Sequence, residues 1–253
     1  DHHPADYGQK FNHPVMSFQF EKGEILLVGK PYSWTSFDVV GKIRSLIRRY
    51  TGLKKVKIGH AGTLDPLATG LLILCTGKFT KRIEEFQDLD KEYTGTFRLG
   101  ITTPSYDLET EPGVARPVDH LTPEALVEAA AKLTGTYDQV PPLYSARWID
   151  GKRAYTFARK EVDKPIEPRK VTITAFELSG IALPEIEFRV VCSKGTYIRS
   201  LARDFGEALG CGAHLTALCR TRIGHYQLRD AFTLKEIEEQ IQWSGLQEPS
   251  STQ

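Results

Sequence analysis

A chain of 253 residues, 40% of them hydrophobic and with a net charge of +1, has apolar surface enough for one large domain or two small ones. That balance excludes a compositionally disordered chain. The longest apolar run, "LLILC" at 71–75, is strand-sized, which excludes a hydrophobic membrane span.

Residues 1–22 read as a polar N-terminal tail without the basic stretch and apolar core of a secretory signal. His2, His3 and His13 are metal donors by type, but their scatter reads as tail, and no metal is expected. "GEILLVGK" at 23–30 reads as a buried strand, and "KPYSWTSF" turns the chain, with Thr35 or Ser36 as N-cap. Val39, Val40, Ile43, Leu46 and Ile47 recur at helical spacing, which predicts a helix over 37–50 with Arg44 and Arg48 on its outer face. After the Gly-rich loop "GHAGTLDPLATG" (59–70), "LLILCTG" is a second buried strand and 78–89 a helix.

"KEYTGTFRLG" (91–100) alternates Tyr93, Gly95, Phe97 and Leu99 on one face of a strand. Thr122 and Pro123 open a helix that buries Leu126, Ala129, Ala130 and Leu133 and ends at Gly135. From Tyr137 to about Pro168 the chain is polar and aromatic, a surface excursion with a short helix expected near 153–160. "KVTITAFEL" and "EIEFRVVCSKG" are expected as antiparallel neighbours, "TYIRSLARDFGEALG" as a helix capped by Gly210, "HLTALCRTRIGHYQL" as turn and strand, and "LKEIEEQI" as a last helix. Strands outnumber helices and mostly do not alternate with them, so the expected class is α+β around a mixed, mostly antiparallel sheet.

Cys75, Cys192, Cys211 and Cys219 form neither a C-x-x-C pair nor a disulfide framework, which points to a reducing, cytoplasmic setting. From Lys42 to His60 the basic residues Lys42, Arg44, Arg48, Arg49, Lys54, Lys55 and Lys57 carry no acid among them. A solvated helix face and a phosphate-binding surface fit that run equally well. Asp65 sits in a turn of Gly, Thr and Pro, where an Asp ordinarily bonds its own backbone. The loop lacks the Gly-Lys-Ser/Thr ending of a P-loop, and the second carboxylate of a glycosidase is not suggested by any spacing.

"KIGHAGTLDPLATGLLILCTGKFTK" (57–81) resembles the signature of the TruB family of tRNA pseudouridine synthases. "KEYTGTFRLG", "QVPPLYSARWIDGKRAYTFAR" (139–159) and "CSKGTYIRSLARDFGEALGCGAHLTALCR" (192–220) resemble three further family segments in order, and "KPYSWTS" its opening Lys-Pro motif. There are departures: Tyr32, Ser33 and Trp34 stand where that motif usually has Gly, Phe37 where His is common, Trp148 where Lys is frequent, and the acid after the "RLG" strand lies at Asp107.

The resemblance implies a pseudouridine synthase fold with a central RNA-binding cleft, a catalytic domain over 23–241, an RNA-gripping insertion at 139–167, a tail at 242–253 and no C-terminal PUA domain. It implies Asp65 as the catalytic residue, with Tyr93, Arg199 and Lys30 in the active site and Leu215 packed beside it. His60 would fill the gap left by a flipped base. RNA contacts are expected from Arg44, Arg48, Arg49, Lys54, Lys55, Lys57, Tyr144, Arg147, Lys152, Arg153 and Lys194. The implied reaction isomerises the T-loop uridine of tRNA, commonly numbered 55, to pseudouridine. No cofactor is needed, the partner is the T arm of tRNA, and a monomer is the expected state. Asp65 would act either as nucleophile or as base on the ribose. The alternative function is a tRNA-folding chaperone that binds rather than catalyses.

Overall fold

The computed structural model describes residues 14–143 and 166–247, and the backbone at 148–149 and 152–153. These fall into two compact units, one drawn from 1–89 and 220–253, the other from 90–219. The first unit is discontinuous in sequence, which is why a linear reading takes 23–241 as one piece.

In the first unit, β1 (Ile25–Lys30) lies antiparallel to β3 (Ala68–Thr76), with Lys30 opposite Gly70, and β2 (Ile58–His60) pairs with β3 so that His60 faces Leu74. The continuous apolar run of β3 has a physical reason: both of its faces are covered. Leu72 and Leu74 join Val39, Val40, Ile43, Leu46 and Ile47 of α1 (Ser36–Thr51), while Leu71, Ile73 and Cys75 meet Phe86 and Ile223. α1 starts in a capping box, Asp38 N donating to Thr35 Oγ1 at 2.9 Å and Thr35 N to Asp38 Oδ2 at 2.8 Å. Thr35 is therefore the cap, and Ser36 is left for another task.

The helix expected over 78–89 is divided into a 3₁₀ turn over Gly77–Arg82 and the short α2 (Ile83–Gln87). The expected tails differ most from the structure. Phe18 and Phe20 are core residues, their rings 5.1 Å apart, so 14–22 is not all tail. The last helix of this unit, labelled below in its place in chain order, continues to Gln247 rather than stopping near 241. Its Ser244 Oγ accepts from Phe18 N at 3.0 Å and its Gln240 Oε1 from Met16 N at 2.9 Å, so residues 16–18 and this helix hold each other.

In the second unit, β4 (Lys91–Leu99), β9 (Glu185–Cys192), β8 (Arg169–Ala182) and β5 (Gly135–Gln139) are antiparallel neighbours in that order. Tyr93 stands opposite Val190. Phe97, Phe176, Phe188 and Phe205 pack as an aromatic cluster, Phe97 stacked on Phe188 at 4.1 Å. α3 (Pro123–Lys132) is capped by Thr122 and ends before Gly135, which at φ +111° opens β5 instead of closing the helix. β6 (Trp148–Ile149) and β7 (Lys152–Arg153) form a two-residue ladder. Past Arg153, the helix expected near 153–160 lies outside the described residues.

α4 (Ile198–Leu209) ends at Gly210, φ +74°, as expected. β10 (Ala213–Ile223) starts in the second unit beside β4 and passes into the first at Arg220, where β11 (Tyr226–Gln227) pairs with it and α5 (Leu234–Gln247) follows. The α+β class, mixed and mostly antiparallel, is as expected: these ladders are antiparallel, and Val28 and Phe232 add one parallel bridge. No helix among the described residues is long and apolar enough to cross a membrane.

Candidate active site

The turn residues between β2 and β3 present Asp65, half-buried, at the surface of the first unit. Backbone atoms on either side of it are fixed. Leu64 N donates to Ser36 Oγ at 2.9 Å, which is the task Ser36 is free for. Pro66 O accepts from Ser33 N at 2.8 Å and from Lys30 Nζ at 3.3 Å. Ala68 N closes a turn on Asp65 O at 2.9 Å. The opening "KPYSWTS" motif and the Asp65 loop are thus two sides of one construction. Ser33 holds φ +67°, the left-handed conformation that Gly adopts at least strain, within the three residues where the resembling family usually has a Gly.

Lys30 is buried, and its ammonium also donates to Trp34 O at 2.6 Å and Pro31 O at 2.9 Å. Three donors meet three carbonyls. Burial pushes the amine down to about 8 from 10.5, with the negative charge of Asp65 opposing and the Arg220 charge adding to the fall. Between pH ~8 and ~10.5 the unfolded chain therefore binds the proton that the folded chain has lost. This group's contribution to folding stability rises with pH through that window and is lost as pH falls back through it. Urea midpoints at both ends of the window should rise more in the native chain than in Lys30→Met. An equal change in both would show that Lys30 does not titrate there.

His60 leaves β2 just before the loop. Burial and the nearby Arg220 charge push its imidazole below the ordinary range, the Gly62 backbone partly opposing. The ring is neutral at pH 7, and among the described residues its Nδ1 is buried without a hydrogen-bond partner. Arg220 enters from β10 and is one of the most deeply buried side chains of the protein.

In the second unit, Tyr93 is buried on β4 and Leu215 is buried on β10, its N–H donating to Tyr106 O at 2.8 Å. Arg199 is buried, as a helical Arg ordinarily is not. It stands in the first turn of α4, its Nη1 donating to Ser105 O at 3.3 Å and its Nε 4.0 Å from Asp107 Oδ2. Asp107 is itself buried and held by Ser105 Oγ (2.5 Å) and Glu109 N (3.0 Å). The N-cap residue Tyr197 makes no side-chain cap, and buried Gln139 serves instead: its Oε1 accepts from Tyr197 N at 2.9 Å and its Nε2 donates to Tyr197 O at 3.2 Å. Ser200 Oγ and Arg203 Nη2 then both reach Val140 O. The start of the 139–167 segment is thereby stitched to the helix that carries Arg199.

Lys42, Arg48, Arg49, Lys54, Lys55 and Lys57 are exposed and Arg44 half-buried. Lys194 is exposed in the turn before α4. Tyr144 and Arg147 lie outside the described residues, as do the side chains of Lys152 and Arg153. The residues missed by sequence reading are Arg220, Gln139 and the Ser105–Asp107 pair. Asp107 left one signal, an acid displaced from its usual place in the resembling family. Arg220 left only its position as the last residue of the fourth matching segment.

The profile of the TruB family pseudouridylate synthase (N terminal domain) matches residues 48–198, and that of the tRNA pseudouridylate synthase B C-terminal domain matches 199–249. Over 229 residues, 90% of the chain and 97% of the relative, the sequence is 53% identical to tRNA pseudouridine synthase B of Phocaeicola vulgatus. It is 54% identical to the protein of that name from Flavobacterium johnsoniae, over 88% of the chain and 98% of the relative. Among solved structures it resembles a chain of a Cbf5–Nop10–Gar1 complex, with TM-score 0.65, 28% identity and 87% of the chain covered. A second resemblance, TM-score 0.62 and 25% identity over 87% of the chain, is to a chain of an H/ACA RNP bound to a substrate RNA containing 2′-deoxyuridine. The protein spans about half the length of those two solved chains, 54% and 53%.

Proposed function

The chain belongs to the TruB family of pseudouridylate synthases, and from that premise we propose that it isomerises the T-loop uridine at position 55 of tRNA to pseudouridine, with Asp65 as the reacting carboxylate. The observation that carries this reading is the construction around Asp65, in which buried Lys30 and Ser36 fix the backbone at Pro66 and Leu64. A merely decorative turn has no need of a buried ammonium.

The reaction breaks the N1–C1′ bond, turns the uracil and joins C5 to C1′; C5 gives up its proton and N1 gains one. A carboxylate begins it by adding to C1′ or by taking a ribose proton, and both routes start from ionised Asp65. In this reading Tyr93 stacks on the uracil and Arg199 supplies the cation that keeps a dehydrated carboxylate charged. The target base must first leave its stack, at about a few kcal/mol, less in a strained loop. A neutral, flat His60 ring suits the space the base leaves. The direct test uses tRNA carrying tritium at uridine C5. Release of label with pseudouridine in the T loop supports the function, and free uracil as the product would assign hydrolysis instead.

The cations of 42–57, exposed except for half-buried Arg44, supply the phosphate contacts in this proposal. Replacing Arg44, Arg48, Lys54 and Lys55 together with Ala should weaken tRNA binding and flatten the plot of log Kd against log salt by about 0.7–0.9 for each phosphate left without its cation. The rate at saturating tRNA should hold. An unchanged slope, read by filter binding, would return that face to plain solvation. A monomer in the cytoplasm completes the proposal, and the burial of all four cysteines suits a reducing compartment.

A further inference from the structure

We propose that Arg220 is the positioning residue of the Asp65 loop: its guanidinium gathers the backbone carbonyls of Gly62, Thr63 and Leu71, so that the loop folds around this side chain. The inference rests on the function proposed above, for which Asp65 must be held still.

Arg220 is 1% exposed and uses all three of its nitrogens. Nε donates to Leu71 O at 2.9 Å, Nη2 to Gly62 O at 3.0 Å and Nη1 to Thr63 O at 3.5 Å. These carbonyls lie on both sides of Asp65, two before it and one after it. A planar fork can hold acceptors in several directions at once, which the point charge of a Lys on its flexible stem does not do. The buried positive charge is met here by the negative ends of carbonyl dipoles.

Two glycines of "GHAGTLDPLATG" acquire a reason from this side chain. Gly62 lies over the guanidinium at φ +108°, where a Cβ would come 3.6 Å from Nη1 and 3.9 Å from Nη2. There is room for that atom, but not for the backbone conformation of an L residue. Gly70, at φ +117°, lies on the backbone of Arg220, and a Cβ there would come within 2.3 Å of its carbonyl oxygen. The loop therefore opens over the tip of Arg220 and closes on its main chain. The charge of Arg220 is felt at both His60 and Lys30, the two side chains that flank the loop.

A residue that only stabilised the fold would change melting and leave the chemistry of the folded fraction alone. A positioning residue changes the rate in the bound complex, since a misplacement of about 1 Å at a reacting group costs about 100-fold. The experiment compares the native chain with Arg220→Gln, Arg220→Lys and Gly62→Ala. It measures single-turnover pseudouridine formation at saturating tRNA, tRNA Kd, and the NMR titration of His60. Arg220→Gln should react about 100-fold slower with Kd changed less than about threefold, and its His60 should titrate at higher pH. Arg220→Lys keeps the charge and loses the fork, so its rate should fall while His60 still titrates low. Gly62→Ala keeps Arg220 and strains the loop, and should also lose rate at unchanged Kd.

The proposal is overturned if folded Arg220→Gln reacts within about threefold of the native chain, or if rate and Kd fall in parallel. Should Arg220→Gln not fold, the same criteria apply to Arg220→Lys and Gly62→Ala. If the native chain makes no pseudouridine, the proposed function fails. The loop-holding role then stands or falls on whether the backbone amide signals of 62–71 move in Arg220→Lys, which keeps the charge and loses the fork.

Discussion

Asp65→Asn should form no measurable pseudouridine, a loss of about 10⁴-fold or more, while still folding and binding tRNA. The amide has the shape of the carboxylate but can neither add to C1′ nor take a ribose proton. The loop should survive the exchange because its anchors act on neighbouring main-chain atoms. Leu64 is held by Ser36, Pro66 by Lys30 and Ser33, and Gly62, Thr63 and Leu71 by Arg220. The Asp65 charge also raises the pKa of Lys30, so its removal should let the Lys30 amine fall further below about 8. The variant thus separates chemistry from architecture. Its tritium release should vanish, its Kd for tRNA should stay within about threefold and its melting should remain cooperative. Native-like release from Asp65→Asn would remove Asp65 from the mechanism. An intact biological role without pseudouridine would move the weight to RNA binding.

The Asp65 turn was legible because turn chemistry is local, with Gly, Thr and Pro around one acid within twelve letters; its reading as a reacting carboxylate came from the family resemblance alone. The strands and α1 were legible for the same reason, since periodicity and caps such as Thr35 and Gly210 act over a few residues. What holds Asp65 was not legible. Arg220 reaches Gly62 across 158 residues, and a guanidinium meeting carbonyls leaves no spacing to read. The burial of Phe18 and Phe20 depends on a helix that ends at Gln247, so a polar-looking N-terminus concealed part of the core. β3 shows the converse. Its unbroken apolar run states that both faces are covered, though not by what, and the structure supplies α1 on one side and Phe86 and Ile223 on the other.

The second large effect belongs to Arg199 and Asp107. Arg199 carries its charge in the first turn of α4, where the positive end of the helix dipole disfavours a cation. It is also buried, its side chain 4% exposed. Both conditions call for a fixed anion, and Asp107, 7% exposed, provides one. The turn that carries it is built for the purpose. Ser105 Oγ and Glu109 N both donate to Oδ1, Thr103 Oγ1 donates to Asp107 O at 2.6 Å, and Tyr106 takes φ +64° between them. Asp107→Ala should therefore take an anion away from beside a buried charge and lower stability, by at most about 3–5 kcal/mol. Arg199→Met removes the cation, so adding Asp107→Ala to it should cost much less than Asp107→Ala alone. The thermodynamic cycle should show coupling of about 0.5–3 kcal/mol, and additive losses would mean that the two do not act as a pair. If Arg199 serves the reaction as the family resemblance implies, Arg199→Lys tests the guanidinium separately from the charge. It should fold and bind tRNA, and its rate should fall by about 100-fold, because a point charge cannot reach the Ser105 carbonyl and the Asp107 carboxylate together as the fork does.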